Sequence, residues 1–263
     1  GYKFILSELF VTIDADTILA ADAIEKLVPM LADGKTLSAC GFVVPARTRT
    51  FWERGRLIEY LYHLAIIKSA QEHWSVPLVS SGCFSAFSSR LFEESGCFPE
   101  DNITEDMALT WKAHIMGLKI KYVPQAVCFP KDPENWQQYR GQVLRWYRGF
   151  FQCISKYKQE LLNNPRLAFF VWTYLFLCLS GLFWLGSLVY IVASGILSGF
   201  GLTASLLSAA VVGDFALGYS ATLFASRRVR MVKLAVINYP LIWILSQINS
   251  VLFFWAFYQE WVR

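Results

Sequence analysis

Leu9-Phe10-Val11-Thr12-Ile13-Asp14-Ala15-Asp16 is the stretch that decides how this chain is read. Its first five residues form an apolar run short enough for a buried strand, and two aspartates end it. Alternation along an extended chain sends residues i and i+2 to the same side. Asp14 and Asp16 are therefore expected to aim two carboxylates at one point beyond the strand. Such a pair suits Mg²⁺ or Mn²⁺, and in layered α/β folds that edge is where ligands bind. A second reading needs no metal: one aspartate simply caps the helix that follows.

Outward from this stretch, the pattern alternates. A helix is expected over residues 20–31, with Ile24, Leu27, Val28 and Leu31 on one face, and Asp33-Gly34 ends it. Residues 37–44 read as a strand. Residues 52–72 read as a longer helix with an apolar stripe of Ile58, Leu61, Tyr62 and Ala65. Short strand-like pieces at 76–79 and 84–87 flank Ser80-Ser81-Gly82-Cys83. A helix over 104–116 is closed by Gly117, the residue type favoured just past a helix end. A strand at 119–124 and a helix at 136–158 follow, and Pro165 closes this part. Strands alternating with helices predict an α/β layer fold rather than a helix bundle.

The 263 residues are 55% hydrophobic with a mean hydropathy of +0.39, more apolar than ordinary soluble domains. The excess is concentrated. Residues 167–213 and 234–259 carry no charge. The first stretch, if helical, is about 70 Å long, enough to cross a bilayer core of about 30 Å twice. Three spans are expected, at 168–195, 203–225 and 234–258. Residues 1–166 hold nineteen of the 24 Lys+Arg and eighteen of the 20 Asp+Glu, a balance of +1. That leaves no clustered positive charge of the kind nucleic acid requires. Arg227, Arg228, Arg230 and Lys233 crowd the connection between the second and third spans, which marks it as cytoplasmic. The uncharged connection at 195–203 suits the far side. Counting crossings backwards places residues 1–166 in the cytoplasm too, as part of an integral plasma-membrane protein. Six cysteines without a C-x-x-C pair and three dispersed histidines offer no zinc site, and reduced thiols are expected.

Three further motifs carry chemistry. Thr104-Glu105-Asp106 opens a helix, where threonine caps and acidic residues complement the dipole. The same field would keep a carboxylate ionised and ready to accept a proton. In Gln142-Val143-Leu144-Arg145-Trp146 the Gln, Arg and Trp share one helix face. Arginine forks onto phosphate oxygens, and an indole offers a flat surface to a sugar ring. Basic and aromatic residues interleaved along the same helix also read as a segment lying on anionic lipid. Ser81-Gly82-Cys83 is a small-residue turn that lets backbone approach a ligand, with Cys83 read as a packed side chain rather than a nucleophile. His63, His73 and His114 read as ordinary packing or surface residues. Asp214, near the middle of the second span, either lines a pathway, pairs with a partner, or marks a span boundary.

D-A-D, S-G-C-F-S-A-F, T-E-D and Q-V-L-R-W in this order, followed at once by membrane spans, resemble the processive family 2 glycosyltransferases. These include cellulose, chitin, hyaluronan and poly-N-acetylglucosamine synthases. The resemblance implies an α/β GT-A-like catalytic domain over 1–135, an interfacial amphipathic helix over 136–166, and a transmembrane region over 167–263. It implies that Asp16 coordinates a divalent metal, Mg²⁺ or Mn²⁺, on a UDP diphosphate, with Asp14 helping to bind metal or nucleotide. It gives Asp106 the role of general base and Glu105 that of shaping the acceptor site. Gln142 and Arg145 would hold the departing diphosphate, Trp146 would stack on the acceptor sugar, and Gly82 and Cys83 would lie beside the acceptor terminus. The implied partners are a UDP-sugar donor, with UDP-GlcNAc favoured, a polysaccharide or oligosaccharide acceptor, the lipid bilayer and export subunits. The family's uridine-binding strands lie well upstream of the D-x-D, whereas thirteen residues precede Asp14 here. The chain is accordingly expected to be the carboxy-terminal portion of a longer synthase, inactive by itself. Two other functions fit part of the pattern: a single-step lipid-linked transferase, such as the dolichyl-phosphate mannose synthases, or a non-catalytic membrane subunit for polysaccharide export. The Q-x-x-R-W element argues against the first and the intact acidic motifs against the second.

Overall fold

The structure is a computed structural model that describes residues 7–197 and 201–262. The expected amino-end truncation and part of the connection at 195–203 lie outside the described residues.

β1 (Leu9–Ile13) is the strand read from the opening stretch. A mixed sheet of five strands follows the order β1-β4-β3-β5-β2, where β2 is Ile18–Leu19, β3 Thr36–Val43, β4 Phe84–Ser88 and β5 Lys119–Phe129. β3 and β5 run parallel, and the other neighbours are antiparallel. β3 sits in the middle and every one of its residues is buried, Thr36 and Ser38 included. Helices α1 (Ala23–Leu27), α2 (Phe51–Tyr62), α3 (Ser69–His73), α4 (Ser89–Ser95) and α5 (Glu105–Ile115) complete the α/β head. Capping is explicit at α2: the Thr50 side chain accepts from Glu53 N, and the Glu53 carboxylate accepts from Thr50 N.

α6 (Trp136–Asn163) leads from the head to three long helices, α7 (Pro165–Leu197), α8 (Leu202–Arg228) and α10 (Leu241–Trp261). All three are long and apolar enough to cross a membrane. They leave large apolar side chains such as Trp172, Phe176, Phe183 and Phe224 uncovered, as a lipid-facing surface would. The inner face of α6 joins head to spans. Phe150 meets Trp111 of α5 edge-on with ring centroids 5.8 Å apart, and Tyr147 and Phe151 meet Phe253 of α10 at 5.1 and 4.8 Å.

Several expectations need correction. Residues 20–31 are not one helix: β2 precedes α1, and Pro29 turns the remainder into a 3-10 turn, Val28–Leu31. Ile24, placed on the buried face, is exposed. Residues 76–79 are no strand. Pro77 lacks an N–H, and side chains satisfy the backbone there: Gln71 Oε1 accepts from Leu78 N (3.1 Å) and Thr110 Oγ1 from Ser80 N (2.9 Å). The helix expected over 52–72 is interrupted by a π turn, His63–Lys68. The third span starts at Leu241; before it lies a short helix, α9 (Val232–Asn238), and Pro240 separates the two.

Candidate active site

The pairing of β1 with β4 sets Ile13 opposite Phe84, so the loops beyond these residues meet. Asp14 N donates to Cys83 O at 3.4 Å. The aspartates themselves sit in a turn closed by Thr17 N donating to Asp14 O at 2.9 Å. Their convergence comes from that turn and not from the strand alternation expected of them. Burial and the like charge of Asp16 raise the pKa of Asp14, and the nearby Arg145 pulls it down.

The acidic turn differs from its expected form. The Thr104 side chain makes no cap bond to α5. It donates to Asn102 Oδ1 at 2.9 Å, and Thr104 N donates to the same oxygen at 2.8 Å, so Asn102 shapes this entry. Asp106 points back to the small-residue turn. Its Oδ2 accepts from Gly82 N at 3.0 Å and its Oδ1 from Met107 N at 2.8 Å. Burial outweighs both bonds and moves the Asp106 pKa up. That shift runs against the helix field invoked from the sequence. Cys83 is half-buried with its thiol 3.2 Å from Ser81 Oγ.

α6 presents Gln142, Arg145 and Trp146 to the same space. Its start is fixed by Asn135, whose side chain accepts from Gln138 N at 3.1 Å. One cavity of about 680 Å³ is lined by Asp14, Asp16, Gly82, Cys83, Glu105, Asp106, Gln142, Arg145 and Trp146. Every site residue predicted from sequence is thus brought together, within the size range of ligand pockets. The cavity continues between the long helices to Ser180, Trp184, Asp214, Trp243 and Asn249. Asp214 therefore opens onto the same cavity, and among the described residues it makes no salt bridge.

Among the described residues no three His, Cys, Asp or Glu side chains converge as a metal cage. Asp14 and Asp16 nonetheless fit a hard divalent cation, which is commonly held by one or two carboxylates and completed by substrate phosphates. Such an ion would also relieve the repulsion that Asp16 exerts on Asp14.

Sequence reasoning missed a buried polar group on the cavity wall. Arg56 is 4% exposed; its Nη1 donates to Glu59 Oε2 and its Nη2 to Gln142 Oε1, both at 2.8 Å. Tyr60 donates to Asp132 Oδ1 at 2.8 Å; Arg56 Nε forms an ion pair with the same oxygen at 3.9 Å, and neither Arg56 Nε nor Asp132 Oδ2 has a hydrogen-bond partner among the described residues. Burial pushes the Asp132 pKa up to about 6. Lys68, at the end of the π turn, is buried with Nζ 5.1 Å from the Tyr122 ring centre and lines the cavity. The available signal was Arg56 and Glu59, three apart beside an apolar stripe; charges in such a place need partners. His114 is the packing residue expected: Nε2 lies 2.8 Å from Pro77 O, and burial lowers its pKa to about 4.

Poly-beta-1,6-N-acetyl-D-glucosamine synthase of Staphylococcus epidermidis is 29% identical over 189 residues, covering 68% of this chain and 46% of that protein. The synthase of the same name from Staphylococcus aureus is 27% identical over 172 residues, covering 65% and 42%. The chain therefore spans less than half the length of these curated relatives. Among solved structures, mannosyltransferase PcManGT from Pyrobaculum calidifontis, in complex with GDP-Man and Mn²⁺, superposes with a TM-score of 0.53 at 19% identity. The alignment covers 90% of this chain and 64% of that one, a likeness of fold. The description "glycosyl transferase family group 2" matches residues 9–258, across both the head and the helices that follow. The fold is accordingly GT-A-like with three candidate membrane-spanning helices, and the chain belongs to glycosyl transferase family group 2.

Proposed function

We propose that the protein transfers a sugar from a UDP-sugar to the end of a growing β-linked glycan with inversion, and that UDP-GlcNAc is the donor. The observation that carries this reading is the single cavity running from Asp14 and Asp16 past Asp106 to Trp146 and on between the long helices. The Staphylococcus relatives, both poly-beta-1,6-N-acetyl-D-glucosamine synthases, support the choice of donor.

Asp106 takes the proton of the acceptor hydroxyl as its oxygen bonds to the anomeric carbon. The bond from that carbon to the diphosphate breaks on the opposite face. A carboxylate whose pKa is raised by burial is a stronger base than one in water, and it is held in place by Gly82 N. Charge building on the departing diphosphate meets the Arg145 guanidinium and the Gln142 amide. Asp14 and Asp16 would hold Mg²⁺ or Mn²⁺, which neutralises the same charge when bound. Trp146 receives the acceptor sugar, Glu105 shapes its site, and Gly82 and Cys83 border the acceptor end. The extension of the cavity between the spans suits a product that leaves through the membrane with the head in the cytoplasm.

The test is to incubate membranes bearing the full-length protein with a panel of UDP-sugars and Mg²⁺ or Mn²⁺. The expected result is polymer from UDP-GlcNAc, identified by size and by cleavage with a β-N-acetylglucosamine-specific glycosidase. One sugar per lipid acceptor, or no consumption of any donor, would overturn it.

A further inference from the structure

The geometry points to Arg56 as a positioning residue that holds Gln142 and Trp146 in place and ties them to the third span. Tyr139, Gln142 and Trp146 lie at i, i+3 and i+7 on α6 and form one stripe. The Arg56 guanidinium sits against all three: 4.5 Å from the Tyr139 ring centre, 4.6 Å from that of Trp146, and hydrogen-bonded to Gln142 Oε1 between them. Its other terminal nitrogen is fixed by Glu59. Glu59 Oε1 in turn accepts from Asn249 Nδ2 of α10 at 2.5 Å. The Tyr139 hydroxyl lies within bonding distance of both Glu59 Oε1 (3.1 Å) and Asn249 Oδ1 (2.8 Å). A head helix, the motif helix and a span thus share one polar node.

Stability alone is a poor account of this node. Burying a guanidinium and a carboxylate carries a desolvation cost that well-packed apolar side chains would avoid. What arginine adds is a planar fork that bonds in two directions while stacking on aromatic faces, which lysine cannot reproduce. One face of the Trp146 indole is taken up by this contact, which sets the ring's orientation toward the cavity.

The inference rests on the proposed transfer reaction, and its test separates the two. In full-length protein in membranes, Arg56→Lys is expected to lower transfer to glycan about a hundredfold, the scale of a small misplacement of reacting groups. Hydrolysis of the donor by water should fall much less than transfer, because only the Gln142 contact to the diphosphate is disturbed while the metal pair and Arg145 are untouched. Wild-type transfer in Arg56→Lys would overturn the role. So would transfer and hydrolysis falling together with thermal stability, which marks a purely structural residue. A second variant guards against poor folding. If Arg56 acts through its α6 partners, adding Arg56→Lys to Gln142→Ala/Trp146→Ala costs little more transfer, whereas a full further loss would count against it. No donor consumption by the wild-type protein would instead refute the transfer reaction.

Discussion

Asp106 bonds to Gly82 N yet is shifted upward by burial, and a base in that state has a visible pH signature. The carboxylate accepts a proton only when ionised, so transfer should fall as pH drops through a value above the ordinary carboxylate range. Asp106→Asn should abolish transfer while the protein stays folded in the membrane; a pH–rate profile and a thermal melt check both. Asp132 makes the opposite kind of statement, about stability. Its folded pKa, about 6, exceeds the ordinary 3.8, so its contribution is fully present below 3.8 and is lost as pH rises through 6. At most about 3 kcal/mol is at stake. Thermal stability should decline between about pH 4 and 6.5 in the wild type, and Asp132→Asn should flatten that part of the slope. Asp14, Asp16, Glu105, Asp106, Gln142, Arg145 and Trp146 were legible because each belongs to a short local motif. Arg56, Glu59 and Asn249 were not, because their partners lie 86 and 190 residues away in sequence.

α5 and α6 cross where Gly149 faces Thr104, with no room for a further carbon: a Cβ at Gly149 would overlap the Thr104 side chain. Gly149→Ala is expected to push the entry of α5, and Asp106 with it, away from Gly82. Overpacking of this kind costs about 1–3 kcal/mol; a lowered melting temperature with a disproportionate loss of transfer would report it, and unchanged activity would refute it. β1, β3, α5 and most of α6 were foreseen because each carries a local apolar pattern, and Gly117, at φ +76°, ends α5 where expected although Thr104 does not cap its start. Two features left no such mark. The π turn at His63–Lys68 adds residues to a helix without changing its composition, and it ends on Lys68 at the cavity. The stretch 76–79 looks like a strand in sequence but bonds to one residue of α3, Val76 N to Gln71 O and Leu78 N to the Gln71 side chain.

On the scale of the whole chain, Arg228 Nη1 donates to Pro124 O of β5 at 3.2 Å, so the basic connection after α8 lies on the same side as the head. If that connection is cytoplasmic, as proposed, a membrane-impermeant thiol reagent should reach the exposed Cys97 in inverted vesicles and not in intact cells. Labelling of intact cells would reverse the orientation. Three spans were legible in bulk hydropathy, while their packing was not, since it depends on contacts between α10, α6 and α2. That packing has a consequence for anyone wishing to isolate the catalytic part. Trp111, Phe150 and Phe151 share one apolar core with Leu167, Phe170, Phe253 and Ala256. Cutting at Pro165 would strip the spans' side of that core and leave its head side facing water, and the severed head should precipitate instead of behaving as an independent soluble enzyme.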